Sequence, residues 1–279
     1  MRRINFEAEY NNRQRVPEHP EIAARWSAAS ASFREAAGAR AELDVAYGEG
    51  ERQHFDLFHP EGEATAPSPV IAYIHGGYWQ RGDRKEYSCI AEPFVADGYR
   101  VAIPSYSLCP NVAVQDIAAE LSSFVIALYR KTGQRPIVIG HSAGGHLAAS
   151  LLATDWQSRD GDLPTDLVTR ALAISGVFML RPLIRTSLND ALKLDVDQAD
   201  AASPALWDAP QGRRRLIAAV GALESREFVR QSLEIVGRWG PAGVTAECVV
   251  VPDANHFTIL DQLMTHGTGL HARVADLTR

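Results

Sequence analysis

Ser142 lies within Gly140-His141-Ser142-Ala143-Gly144, which fits the spacing G-x-S-x-G. An apolar run, Ile137-Val138-Ile139, precedes it and a small-residue run, His146-Leu147-Ala148-Ala149, follows. A chain that reverses from strand to helix over so few residues holds the serine hydroxyl outward on a strained turn. Free N–H groups at the helix start favour negative charge developing beside it. The chemistry this suits is nucleophilic attack by Ser142. The same five residues also fit a plain Gly/Ser turn packing a helix on a strand, so the rest of the chain must supply a base, an acid and an oxyanion site.

His75-Gly76-Gly77-Tyr78-Trp79 follows the apolar run Val70–Ile74. A Gly-Gly turn at a strand end can present backbone N–H groups without side-chain obstruction. Gly76, Gly77 and Ala143, the residue after the serine, are therefore the candidate oxyanion donors. His75 is expected to brace the loop. Tyr78 and Trp79 are candidates for the pocket wall, with core packing as the other reading. If the Ser142 turn is a nucleophile elbow, the base should come late, because chains built around that turn order their residues Ser, acid, His. Of nine histidines, His256 follows the run Cys248–Val251 in Asp253-Ala254-Asn255-His256-Phe257, at a strand end where ligands gather in open α/β sheets. His141 and His146 flank Ser142 but do not point with it. His19, His54 and His59 read as surface or structural, and His266 and His271 as solvated. Glu224, after the run Leu216–Val220, is the candidate acid to orient the imidazole; Glu227 and Asp253 compete with it, and a helix N-terminal acid is the bland alternative.

The elements that must position these residues alternate along the chain. Two alternating strands, 43–47 and 53–58, flank Gly48-Glu49-Gly50 and suggest an antiparallel edge hairpin. A Pro-bearing loop, 60–69, follows. Strands over 70–74, 99–103, 136–140, 170–175, 215–220 and 245–251 then interleave with helices over 85–97, 112–130, 143–154, 225–238 and 256–265. Continuous apolar strands between helices predict an α/β class: a mostly parallel central sheet covered on both faces. Residues 1–40 read as an N-terminal helical arm or cap. Residues 177–212 interrupt the alternation and read as a helical lid insertion. The whole of 1–279 is taken as a single domain.

The net charge of −6 and the absence of a basic stripe argue against a nucleic-acid partner, with Arg213-Arg214-Arg215 read as a solvated strand entrance. Cys89, Cys109 and Cys248 are odd in number and form no CxxC pair, which suggests reduced thiols in a cytoplasmic protein rather than a disulfide framework or a cysteine zinc site. The N-terminus turns polar before an apolar signal region could form, and no apolar run reaches membrane-spanning length.

With those residues placed, the chain resembles the α/β-hydrolase type of kynurenine formamidase (arylformamidase). It is similar more distantly to the hormone-sensitive-lipase-like esterases. His75-Gly76-Gly77-Tyr78-Trp79 looks like the family's HGGxW motif and Gly140-His141-Ser142-Ala143-Gly144 like its GHSAG. Further likeness runs through Ser175-Gly176-Val177, Thr186–Asp190, Glu227-Phe228, Arg230-Gln231-Ser232 and Asp253 with His256-Phe257, and only faintly through Tyr10-Asn11-Asn12-Arg13. The resemblance implies the α/β-hydrolase fold, with Ser142 as nucleophile, His256 as base and Gly76, Gly77 and Ala143 as oxyanion donors; the family carries Asp where this chain has Glu224.

The expectation is a serine hydrolase that removes a formyl-type acyl group from an aryl amide through an acyl-enzyme, without metal or cofactor. Its partner is a small amide or ester, and a homodimer is compatible with it. The alternatives are a short-chain carboxylesterase and a non-catalytic binding module of the same fold. A kynurenine-like amino-acid tail would need polar partners, for which Arg181, Arg185 and Asn189 in the insertion are candidates by position.

Overall fold

The computed structural model describes residues 4–62 and 68–278. Of the loop expected over 60–69, residues 63–67 lie outside the described residues. Eight strands form one sheet: β1 (Ala41–Ala46), β2 (His54–Phe58), β3 (Val70–Ile74), β4 (Arg100–Pro104), β5 (Ile137–His141), β6 (Arg170–Ile174), β7 (Arg215–Gly221) and β8 (Thr245–Val251). Their spatial order is β1-β2-β4-β3-β5-β6-β7-β8. β1 pairs antiparallel with β2, and β2 with β4, as the edge hairpin requires. Every pairing from β4 through β3 to β8 is parallel.

Helices cover both faces. They are α1 (Phe6–Tyr10), α2 (Asn12–Arg15), α3 (His19–Ala37), α4 (Ala91–Ala96), α5 (Val114–Thr132), α6 (Ala143–Leu152), α7 (Trp156–Arg159), α8 (Asn189–Leu192), α9 (Val196–Ala201), α10 (Arg226–Trp239), α11 (Ile259–Met264) and α12 (Gly269–Thr278). Successive strand residues point to opposite faces, so each parallel strand feeds two cores. Ala72, Ile74, Val138 and Ala218 pack with Leu121, Phe124 and Leu128 of α5 and with Ile235 of α10. Ile71, Tyr73, Ile139 and Ile217 pack with Trp26 and Phe33 of α3, Phe94 of α4 and Leu263 of α11. Burial on both faces explains why these strands read as unbroken apolar runs. Among the described residues no helix is long and apolar enough to cross a membrane.

Four departures from expectation have local causes. The helix expected over 85–97 is shorter, with two 3-10 turns at Arg84–Glu86 and Ser88–Ile90 preceding α4. Pro93 sits in the first turn of α4, where its missing N–H is tolerated, and disfavours helix in the residue before it. The helix expected from 256 starts at Ile259, because the Asn255 side-chain oxygen accepts from the N–H groups of Phe257 and Thr258 and holds a turn there. After Gly267, α12 carries His271 into the second core. His271 is therefore buried, stacked at 4.8 Å on Phe94, rather than solvated, while His266 is exposed. Arg214 is likewise buried, donating to the Thr165 carbonyl at 2.9 Å.

One buried charge ties the antiparallel edge to the helices. Asp56 on β2 is fully buried. It accepts from the Asp44 N–H at 2.8 Å, from Arg84 Nε at 3.2 Å and from Arg34 of α3. Removing the carboxylate leaves two guanidinium groups without their shared counter-charge. Asp56→Ala is expected to lower stability by about 3–5 kcal/mol, read as a reduced urea midpoint; a change under ~1 kcal/mol would show that the arginines find other partners.

Candidate active site

The parallel register aligns the C-terminal ends of neighbouring strands. Ile74 is level with Gly140, His141 with Ile174, and Gly221 with Val251. The segments leaving β3, β5, β6, β7 and β8 therefore emerge along one edge, and they carry His75–Gly77, Ser142, Ser175, Glu224 and His256 respectively. This is the edge at which open α/β sheets bind ligands.

Ser142 joins β5 to α6 with φ 57° and ψ −118°, a backbone conformation that an L residue holds only when its surroundings enforce it. Its N–H donates to the Ile174 carbonyl at 2.8 Å. The turn is feasible because α6 begins against β3: a Cβ on Gly144 would lie 2.0 Å from the Ile74 carbonyl oxygen. The same closeness presses the Gly-Gly loop onto the serine, since a Cβ on Gly76 would meet Ser142 Cβ at 3.0 Å. Ala143 is the first residue of α6, so its N–H belongs to the turn that lacks intrahelical acceptors.

His256 Nε2 lies 3.0 Å from Ser142 Oγ, and His256 Nδ1 lies 2.7 Å from Glu224 Oε2. A carboxylate can only accept, so Nδ1 carries the hydrogen and Nε2 presents its lone pair to the serine hydroxyl. Glu224 Oε1 accepts from the Gly221 N–H at 2.7 Å and from the Ser175 hydroxyl at 2.6 Å. All three side chains are buried. Glu224 is the carboxylate that reaches the imidazole; Glu227 instead accepts from the Tyr10 hydroxyl at 2.8 Å and pairs with Arg230, and Asp253 is exposed in the turn after β8.

The Gly-Gly loop is held from several sides. The His75 ring lies between Tyr87 and Tyr106, and the Tyr106 hydroxyl donates to the His75 carbonyl at 2.9 Å. Gly77 has φ +115°, a region open to glycine. Tyr78 and Trp79, both with positive φ, turn opposite ways. Tyr78 lines the cavity, its hydroxyl accepting from Asn12 Nδ2 at 3.0 Å and donating to the Tyr10 carbonyl. Trp79 does not wall the pocket: it is fully buried, edge-on to His146 at 5.0 Å. Its backbone turn sends the indole into the core between α6 and the loop.

Ser142 and His256 open into a cavity of about 580 Å³. The N-terminal arm forms much of its wall through Asn11, Asn12, Arg13 and His19, and the insertion contributes Ser187 and Leu188. Arg181, Arg185 and Asn189 are not in the lining. Arg181 pairs with Asp200, and the Asn189 side chain bonds both backbone groups of Leu194. The polar lining comes instead from Arg13, Arg81, Gln80 and Glu86. Sequence reasoning read 1–40 as an arm or cap but assigned none of its residues to the site, because its polar run resembles any surface segment, and it missed Ser175 as a partner of the acid. Its place after β6 was the available signal for Ser175, since the end of every neighbouring strand was already suspect.

Known proteins resemble this chain over most of its length. The BD-FAE family model matches residues 55–173. The kynurenine formamidase of Danio rerio is 30% identical over 228 residues, covering 80% of this chain and 76% of that protein. This chain belongs to the kynurenine formamidase family. A crystal structure from Silicibacter sp. TM1040, of a protein whose thioesterase name is provisional, is 32% identical with a TM-score of 0.86, covering 99% of this chain and all of that one. Esterase B of Lactobacillus rhamnosis, at 18% identity, TM-score 0.69 and coverage of 93% and 95%, shares the fold. The chain is thus an α/β-hydrolase-fold enzyme of the serine-hydrolase esterase or amidase type, not a non-catalytic module.

Burial holds three neighbouring histidines neutral. His75 and His146 are each pushed down to about 4 by loss of solvent, and His141 lies well below the usual range for the same reason, aided by its neighbour His256. In the unfolded chain such rings titrate near 6.5. Their folded pKa is depressed, so their stability contribution is complete above pH 6.5 and lost as pH falls towards 4. His75 and His146 together are expected to lower unfolding free energy by on the order of 3 kcal/mol between pH 7 and pH 5. Urea unfolding at the two pH values tests this; equal midpoints would refute it.

Proposed function

We propose that the chain is an arylformamidase-like serine hydrolase that removes a formyl or similarly small acyl group from an aryl amide. The observation that carries the reading is the continuous hydrogen-bond chain from Ser142 through His256 to Glu224, opening into the cavity. In this mechanism His256 Nε2 takes the Ser142 proton as Oγ attacks the acyl carbonyl. Glu224 holds the ring in the required tautomer and stabilises the imidazolium. N–H groups of the Gly76-Gly77 turn and of Ala143 receive the oxyanion. The imidazolium then protonates the departing amine, and water activated by the same His256 releases formate and restores Ser142.

The wall positions support a small acyl group and a larger leaving group. The Gly-Gly turn crowds the serine, while Tyr78, the arm and the segment 187–188 line the wider space beyond it. We assign the segment 177–212 as the cover of that space and 1–40 as its other wall. The three unpaired thiols, two of them buried, favour a reducing, cytoplasmic setting. A second reading, cleavage of short-chain esters, draws on the thioesterase-named relative that matches the whole chain.

Steady-state kinetics decide between these. Ser142→Ala is expected to lower kcat at least ~10³-fold, and Glu224→Gln to lower it by roughly 10⁴ with little change in KM. Ser142→Ala activity within about tenfold of wild type would contradict the assignment. With wild type, a kcat/KM for an aryl formamide above that for p-nitrophenyl acetate supports the deformylase; the reverse order supports the esterase.

A further inference from the structure

The geometry points to a divalent-cation site formed by Asp97, His266 and His271, which do not line the cavity described above. Asp97 follows α4, His266 lies between α11 and α12, and His271 is on α12. One ligand atom from each residue lies within 4.8 Å of the others. His271 Nε2 is 2.8 Å from Asp97 Oδ2, and His266 Nε2 is 2.8 Å from Asp97 Oδ1.

The second nitrogen of His271 decides what must lie between them. His271 Nδ1 is 2.8 Å from the Leu263 carbonyl oxygen, which can only accept, so Nδ1 carries a hydrogen. In a neutral ring Nε2 then points a lone pair at a carboxylate oxygen, and two acceptors do not rest at that distance. A positive charge must relieve the contact: a second ring proton between the two atoms, or a cation bound by both of them from one side. A metal at bond lengths of about 2.0–2.2 Å holds its ligands roughly 3–4 Å apart, so the two 2.8 Å His–Asp97 contacts must open by a few tenths of an ångström or more to admit it.

The surroundings fit the cation. The Leu263 carbonyl is the kind of outer partner that fixes a ligating imidazole. The ring is buried and stacked on Phe94 at 4.8 Å with an interplanar angle of 3°, so it is oriented in advance. His266 is 71% exposed and closes on the ion from solvent. Two imidazoles and one carboxylate select zinc, nickel, cobalt or copper over calcium or magnesium, and water completes the coordination. The ion would clamp α12 to the end of α4.

The test is titration of the tag-free chain with Zn²⁺ and with Co²⁺ at neutral pH. One equivalent is expected to bind, with visible d–d absorption from Co²⁺ and a Tm rise of about 3–6 °C at saturating Zn²⁺. His266→Ala, which removes an exposed side chain and leaves the fold intact, should weaken binding at least tenfold and abolish the Tm rise; Asp97→Asn should do the same. Absence of saturable binding to wild type, or equal responses from wild type and His266→Ala, would overturn the site and identify the bridging charge as a proton.

Discussion

A carboxylate sealed from water accepts hydrogen bonds and gives none, and this asymmetry organises the site. Among the described residues no arginine or lysine is paired with the Glu224 carboxylate; it is held by the Gly221 N–H, the Ser175 hydroxyl and the His256 ring. Each of these must donate. The ring is thereby committed to one tautomer, and its remaining lone pair faces Ser142.

That bond in turn depends on sheet register. Glu224 follows β7, Ser175 follows β6 and His256 follows β8, and these strands are adjacent and parallel. The longer side chain of Glu is accommodated because Gly221, three residues earlier, returns its N–H to the same carboxylate. The His256 carbonyl accepts from His141 Nε2 at 2.7 Å, so the residue preceding the serine also fixes the loop bearing the base. The elbow and the base are locked together twice, once through their side chains and once through this backbone contact.

The cavity shows how a common fold acquires its own shape. The sheet and its flanking helices set the position of Ser142, His256 and the loop after β3, but much of the remaining wall comes from segments outside the alternation of strands and helices. The arm reaches across to the oxyanion loop through Asn12 and the Tyr10 carbonyl, which meet the Tyr78 hydroxyl. Tyr10 is itself fastened to α10 by Glu227 and Gln231. The arm, the oxyanion loop and α10 are therefore one hydrogen-bonded unit, and the shape of the substrate space is coupled to the loop that would hold the oxyanion.

The local chemistry of the chain was written in its sequence. The G-x-S-x-G turn, the Gly-Gly loop after an apolar run, and the strand–helix alternation all depend on short-range sterics and hydrophobic periodicity, which neighbouring residues decide among themselves. The fold class, the strand order at the hairpin edge and the late position of His256 were legible for that reason. That Glu224 would prevail over Glu227 and Asp253 was already the sequence's preference, whereas that Trp79 would turn into the core while Tyr78 faced the cavity, that His271 would be buried, and that polar residues of the arm would wall the pocket were decided only by tertiary structure. Those outcomes join residues hundreds of positions apart, as Tyr10 and Glu227 are, through register and packing, and no local pattern encodes the partner at the other end.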